Sequence, residues 1–211
     1  MPGRLLSVNV GRPRQVSVRS GRPIMSAIGK APVTGAVRVA GVNVDGDDQA
    51  DRRVHGGPDK AVYAYASEDT AYWAERLERD DLGPGVFGEN LTTAGVDVSG
   101  AVIGERWRIG TVELEVCQPR LPCFKLGLRF GEPRMLKWFA EANRPGTYLR
   151  IRTEGELTAG DEIQITDRPA HGVTSAQVSR AILLDETELE AAARAPQLPP
   201  SLSRWMLGRA A

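Results

Sequence analysis

The sequence predicts a mainly β protein, a barrel or a sandwich, with a few helices and a small helical appendix at its C-terminal end. Three observations lead there. Short β-like runs recur between glycines through residues 1–166. One of them, Thr111–Cys117, alternates Val112, Leu114 and Val116 with Glu113, Glu115 and Cys117, the period of a half-buried strand. The composition then shifts after residues 167–172, and three short helical segments follow.

In chain order, strands are expected at Leu5–Val10, Ala36–Val39 and Ala61–Tyr65. Ser67 is placed to N-cap a helix over Glu68–Arg79, with Trp73, Ala74 and Leu77 on one face. Thr111–Cys117 ends where Pro119 can no longer donate a ladder hydrogen bond. Pro133 suits the first turn of a helix through about Glu141 that buries Leu136, Phe139 and Ala140. Tyr148–Thr153 and Glu162–Thr166 close the β region, with Ile151, Ile163 and Ile165 in the inward phase. Helices are expected at Ala176–Leu183, Glu186–Ala193 and Ser201–Leu207. The division is therefore a β domain over 1–166 and a small three-helix extension over 167–211. Residues 40–60, rich in Gly and Asp, read as a long loop, and long loops in compact domains tend to be functional.

Charge narrows the partners. Lys plus Arg and Asp plus Glu both number 27, so no net field recruits nucleic acid or a membrane surface. Aromatics at 6% leave little for stacking on single strands. No apolar run approaches the ~18 residues of a membrane helix, and the start of the chain lacks a signal-peptide core. Two cysteines build no disulfide framework. A cytoplasmic protein is expected.

Several motifs fail on context. Gly83-Pro84-Gly85-Val86-Phe87-Gly88 spells a dinucleotide fingerprint but follows a helix instead of a strand. His55 and His171 are the only histidines, and Cys117-x5-Cys123 lacks the close pairing of a structural zinc site. Two thiols cannot hold an iron–sulfur cluster.

What remains is concentrated in four stretches. In Gln118-Pro119-Arg120-Leu121-Pro122-Cys123-Phe124-Lys125, Pro122 stiffens the backbone before a thiol bracketed by Arg120 and Lys125, and positive charge favours the thiolate that attacks or binds metal. Cys117 reads as a passive strand-end thiol. Val54-His55-Gly56-Gly57-Pro58-Asp59-Lys60 is either an anion-binding turn, with glycines admitting backbone amides and Lys60 adding charge, or a tight turn with a solvated histidine. Phe87-Gly88-Glu89-Asn90-Leu91-Thr92 is either ligand-contacting or hairpin chemistry, with Asn90 and Thr92 on one side of an extended chain. Gly146-Thr147-Tyr148-Leu149-Arg150-Ile151 adds a fourth.

Taken in chain order the four stretches resemble the MOSC domain family, named after the C-terminal part of molybdenum cofactor sulfurases, and the helical tail resembles its stand-alone bacterial branch. The resemblance implies a closed β-barrel and a molybdenum cofactor (Mo-molybdopterin) whose metal takes Cys123 as a ligand. It further implies cofactor binding by Lys60, Asn90, Thr92, Gln118, Arg120, Lys125 and Arg150. The implied activity is two-electron reduction of N-hydroxylated compounds such as hydroxylaminopurines and amidoximes. Cys123 and His55 are the expected catalytic residues, with proton delivery assigned to His55 or a neighbouring polar group. Electrons would come from an external reductase or ferredoxin-like donor, and a homodimer is one open oligomeric state. Two rivals stand beside this: a persulfide carrier or cofactor-binding module without turnover, and a Cys123–His55 pair for acyl transfer.

Overall fold

The computed structural model describes residues 2–17, 21–51 and 55–210. Arginines 52 and 53 and Val54, at the edge of the predicted loop and of the His55 stretch, lie outside the described residues.

Seven strands close a barrel: β1 (Gly3–Val10), β7 (Val62–Ala66), β8 (Leu91–Ala94), β9 (Arg106–Ile109), β10 (Val112–Gln118), β11 (Thr147–Thr153) and β13 (Glu162–Asp167). The order runs β13-β9-β10-β11-β7-β8-β1, and β1 returns to β13 through Gly3 opposite Ile163. All pairs are antiparallel except β7 with β8, which makes the barrel mixed. Closure removes the open edges that would otherwise template pairing with other chains. Short strands β2 (Arg14–Val16), β3 (Ile24–Ser26), β4 (Ala31–Val33), β5 (Val37–Ala40), β6 (Asn43–Val44) and β12 (Gly155–Leu157) flank it. Among these, β4 extends β1, β2 pairs with β3, and β12-β5-β6 form a separate small sheet.

The barrel is filled by the apolar phase of its strands, with Leu5, Val8, Leu91, Trp107, Ile109, Leu114, Val116 and Leu149 fully buried. Two expectations of alternation need correction. Glu115 and Cys117 are buried as well, because Arg150 and Arg152 and helix α4 (Ser175–Leu183) cover the outer face of β10. Ile165 is exposed although it pairs with Trp107 of β9, next to an irregularity in the β13–β9 register.

Helix α1 (Ser67–Leu77) follows β7. Its N-cap is Ala66, so Ser67 stands inside the first turn and does not cap it. The helix ends on Glu78 in a left-handed conformation. Helix α2 (Phe124–Phe130), which the sequence reading missed, starts immediately after Cys123 and stops at Gly131. Helix α3 (Met135–Ala142) begins two residues later than expected, leaving Pro133 outside it. It buries Met135 and Phe139, while Leu136 and Ala140 are only half-buried. Trp73, Tyr65, Phe87 and Phe139 pack into a second cluster beside the barrel, with Trp73 and Phe139 stacked 9° from parallel at 6.0 Å. By its burial, Phe139→Ala would remove about 3–5 kcal/mol.

At the C-terminal end, Thr174 caps α4 in a reciprocal box with Gln177. A 3-10 turn (Glu186–Glu188), α5 (Leu189–Ala193) and α6 (Pro200–Ala210) follow. Val178, Ala181, Ile182, Leu189 and Met206 of these helices join the same buried cluster as the barrel interior. No helix among the described residues is long and apolar enough to cross a membrane.

Candidate functional site

Beside the barrel, near the N-terminal end of α2, lies a cavity of about 670 Å³ including its open mouth. It is lined by His55, Lys60, Arg120, Cys123 and Lys125, and by Asn90, Tyr63 and Tyr148. All four stretches singled out in the sequence thus converge on one place.

Cys123 is half-buried and occupies the N-cap position of α2 with extended backbone (φ −126°, ψ 164°). Its side chain makes no capping hydrogen bond, which leaves the thiol available to the cavity. Its carbonyl accepts from the Leu126 N–H at 2.9 Å, so the loop ahead of it is anchored to the first turn. Pro119 ends β10 at Gln118, as expected, and Leu121 and Pro122 bridge to Cys123.

Arg120 is 5% exposed, and its guanidinium lies over the rings of Phe139 (5.1 Å) and Tyr63 (5.7 Å). Its Nη1 is buried and has no hydrogen-bond partner among the described residues. Native proteins seldom leave a buried charged donor unsatisfied, because its desolvation goes uncompensated.

His55 lines the same cavity. Burial first, then the charges of Lys125, Lys60 and Arg120, hold its imidazole below the ordinary histidine value. It is therefore neutral at pH 7 and adds no fourth cation. Among the described residues no hydrogen bond links His55 to Cys123, so the pair required for acyl transfer is not formed.

Lys60 ends a 3-10 turn (Pro58–Lys60) that follows Gly57, whose φ of 92° suits glycine. The Asp59 carbonyl accepts from Cys117 Sγ and from Gln118 Nε2, each at 2.9 Å. Burial pushes the Cys117 thiol well above the ordinary range, so it stays protonated and donates. Cys117 is thus passive in reactivity yet fixes the turn that carries Lys60.

Four expected cofactor contacts fall elsewhere or are already engaged. Arg150 is outside the cavity, bonded to Asp59, Glu115 and the Gln197 carbonyl. Gln118 lies in a neighbouring groove with Gly56, Pro58 and Trp205, its amide spent on Asp59. Thr92 points into a buried polar network, donating to Glu89 Oε1 and accepting from Asn9 Nδ2, both at 2.9 Å. Asn90 does reach the cavity, but its oxygen accepts from the Tyr63 N–H and its amide donates to Asp47 and to the Asn9 carbonyl. The period-two argument correctly put Asn90 and Thr92 on one side. That side faces a polar seam of the protein, where bonding within the chain consumes both.

The same seam explains Glu89. It is fully buried and accepts from the N–H groups of Gly85 (2.6 Å) and Phe87 (3.0 Å), while Gly83–Gly88 forms successive turns and leads into no helix. Gly85 has φ 82°, and a Cβ there would stand 2.8 Å from the Lys30 carbonyl oxygen.

Sequence reasoning missed Lys30 and Asp47, a buried ion pair on the cavity wall. Neither sits in a recognisable motif, and only the fold brings them together. It also missed α2, although Gly131 at the end of Phe124–Phe130 is a usable C-terminal signal.

The MOSC domain model matches residues 51–164. The chain is 36% identical to YflK of Bacillus subtilis over 190 residues, which is 90% of this chain and 85% of that protein. It is also 36% identical over 201 residues to a protein of Gibberella moniliformis named Reductase, covering 94% of this chain but only 35% of that longer protein. The crystal structure of YiiM from Geobacillus stearothermophilus superposes over 100% of both chains with a TM-score of 0.81 at 28% identity. With barrel, motifs and relatives in agreement, the chain belongs to the MOSC domain family.

Proposed function

We propose that the protein is a molybdenum-cofactor-dependent reductase of N-hydroxylated compounds, and that cofactor and substrate meet in the cavity beside Cys123. The observation that carries this reading is the unpartnered Nη1 of Arg120, buried in a wall that also holds Lys60 and Lys125. Such a wall fits an anion, and a pterin dithiolene with its phosphate is one. Cys123 adds a soft ligand suited to a metal with sulfur neighbours. Among the described residues no cluster of three or more His, Cys, Asp or Glu forms a metal site. A metal at Cys123 would therefore take its other ligands from the cofactor. The residues present fit the group.

When bound, the cofactor supplies the two-electron redox chemistry of N–O cleavage. The chain holds and orients. Arg120, Lys60 and Lys125 offset the anionic charge, and the rings of Tyr63 and Phe139 keep the Arg120 guanidinium in place. His55 on the same wall is the candidate for proton delivery, and neutralising those cations removes the part of its lowered proton affinity that burial does not cause. The name of the fungal relative supports an oxidoreductase. An external reductase or ferredoxin-like protein is proposed as electron donor.

The test is molybdenum content and released pterin fluorescence for wild type and Cys123→Ser, produced in a host that makes the cofactor. Stoichiometric molybdenum and pterin in wild type, with molybdenum lost in the variant, is expected, together with reduction of hydroxylaminopurine by an artificial donor. A wild type that binds neither, even after reconstitution, overturns the reading. Sulfane sulfur on Cys123 in such a protein would make it a persulfide carrier.

A further inference from the structure

The lining of the cavity comes from two parts of the chain. His55, Lys60, Arg120, Cys123 and Lys125 lie within the family match, and their side is cationic. A second set, including Ile28, Lys30, Asp47 and Gln49, precedes residue 51 and lies ahead of that match. This second set holds the only ion pair with both side chains under 10% exposed among the described residues: Lys30 at 8% and Asp47 at 0%.

The carboxylate of Asp47 is saturated. Oδ1 accepts from the Gly11 N–H at 2.8 Å, Oδ2 accepts from Asn90 Nδ2 at 2.9 Å, and the Lys30 ammonium bonds both oxygens. Lys30 is not saturated. An ammonium has three N–H groups; the contacts with Asp47 use at most two, and among the described residues no other acceptor meets Lys30 Nζ. Burial pulls the Lys30 pKa below the ordinary lysine value, while Asp47 pulls it back up. Because Asp47 balances its charge, Lys30 differs from Arg120 and Lys125: it offers one directed donor and little net attraction for anions. Its backbone is seated against Gly85, which fixes where that donor starts.

We propose that Lys30 orients the substrate, its remaining N–H donating a hydrogen bond to an acceptor atom beside the N–OH group, a ring nitrogen or a carbonyl oxygen. This rests on the reductase reading above. It gives the protein a preference for N-hydroxylated purines and hydroxamates over hydroxylamines that carry no neighbouring acceptor. Asn90 has a part in this that the sequence did not reveal, since it holds Asp47 and through it Lys30.

The experiment compares cofactor-loaded wild type, Lys30→Met, and the charge-balanced Lys30→Met/Asp47→Asn, which avoids leaving a buried carboxylate unpaired. For each, kcat/KM is measured for 6-hydroxylaminopurine and for phenylhydroxylamine with an artificial reductant, alongside molybdenum and pterin content. Binding of adenine to the cofactor-free proteins is measured by calorimetry. The expected result is a fall of about tenfold or more in the purine-to-phenyl ratio, carried mainly by KM, the size of one charge-assisted hydrogen bond. Molybdenum and pterin content stay at wild-type levels, and adenine binding weakens in parallel. An unchanged ratio in the folded double variant overturns the inference, as does loss of pterin on removing Lys30, which would assign the residue to the cofactor. A wild type that holds molybdenum yet reduces neither compound overturns the reductase reading itself, and the inference falls with it.

Discussion

Arg150 on β11 grips the carboxylate of Asp59, and the main-chain oxygen of that same Asp59 is held by Cys117 and Gln118 of β10. Arg150 also donates to Glu115 Oε1 at 2.9 Å and to the Gln197 carbonyl at 2.7 Å. One residue of the turn is thus clamped through side chain and backbone at once, and the clamp reaches the segment between α5 and α6. The turn carrying Lys60 is set before any ligand arrives, which lowers the ordering cost of binding. Arg150→Met takes one partner from Asp59, whose side chain is a third exposed, and one from Glu115, which keeps Arg152. A loss of about 2 kcal/mol is expected from the charge-assisted hydrogen bonds removed, read as a lower urea midpoint at unchanged slope.

Arg120 should behave in the opposite way. Among the described residues its Nη1 finds no hydrogen-bond partner, so Arg120→Met exchanges an uncompensated donor for an apolar chain of similar length. Stability of the cofactor-free protein is expected to hold or rise, by about 1 kcal/mol. Pterin retained after purification should fall at least tenfold. A variant that keeps its pterin would remove Arg120 from the binding wall.

The two thiols should separate cleanly. Cys117 is fully buried and hydrogen-bonded to two carbonyls, while Cys123 is half-buried on the cavity wall. Native cofactor-free protein is expected to release one equivalent of thionitrobenzoate from Ellman's reagent, and a second only in denaturant. Absence of the fast equivalent in Cys123→Ser identifies its source.

The pH dependence follows from His55. Its folded pKa lies below the value near ~6.5 of the unfolded chain, so the unfolded state binds more protons in the window just below that value. Its contribution to stability is present above pH ~6.5 and declines as the pH falls toward the folded pKa. His55→Gln should flatten this part of the acid limb, checked by urea unfolding between pH 7 and 5. The imidazole signal of His55 should titrate below ~6.5 in the cofactor-free protein, and a titration above that value contradicts the charge environment described here.

The barrel was legible because its strands carry their own pattern. Leu114 and Val116 alternate with glutamates, and Ala61–Tyr65 is a short run bounded by turns, so strand and inward phase can be read locally. The convergence of His55, Lys60, Arg120 and Cys123 was legible through resemblance, as four stretches in a known order. Arg150, Gln118 and Thr92 were expected at a ligand, and in the structure their side chains bond within the chain: a polar side chain in a motif bonds either outward or inward, and the partners that bear on it can be distant in sequence. Arg150 meets Glu115 and Gln197, 35 and 47 residues away, and Thr92 meets Asn9 across 83.

By itself, then, the sequence determined the strand content, the family, and a thiol that lines the candidate cavity, since local periodicity and ordered motifs survive without coordinates. Only the tertiary structure decided which polar groups remain for a ligand. Bonds within the chain engage Asn90, Thr92 and Arg150, while among the described residues the Nη1 of Arg120 has no partner and Lys30 Nζ meets only Asp47. Hydrogen-bond capacity is counted in three dimensions, and a buried donor left over after that count is what a site has to offer.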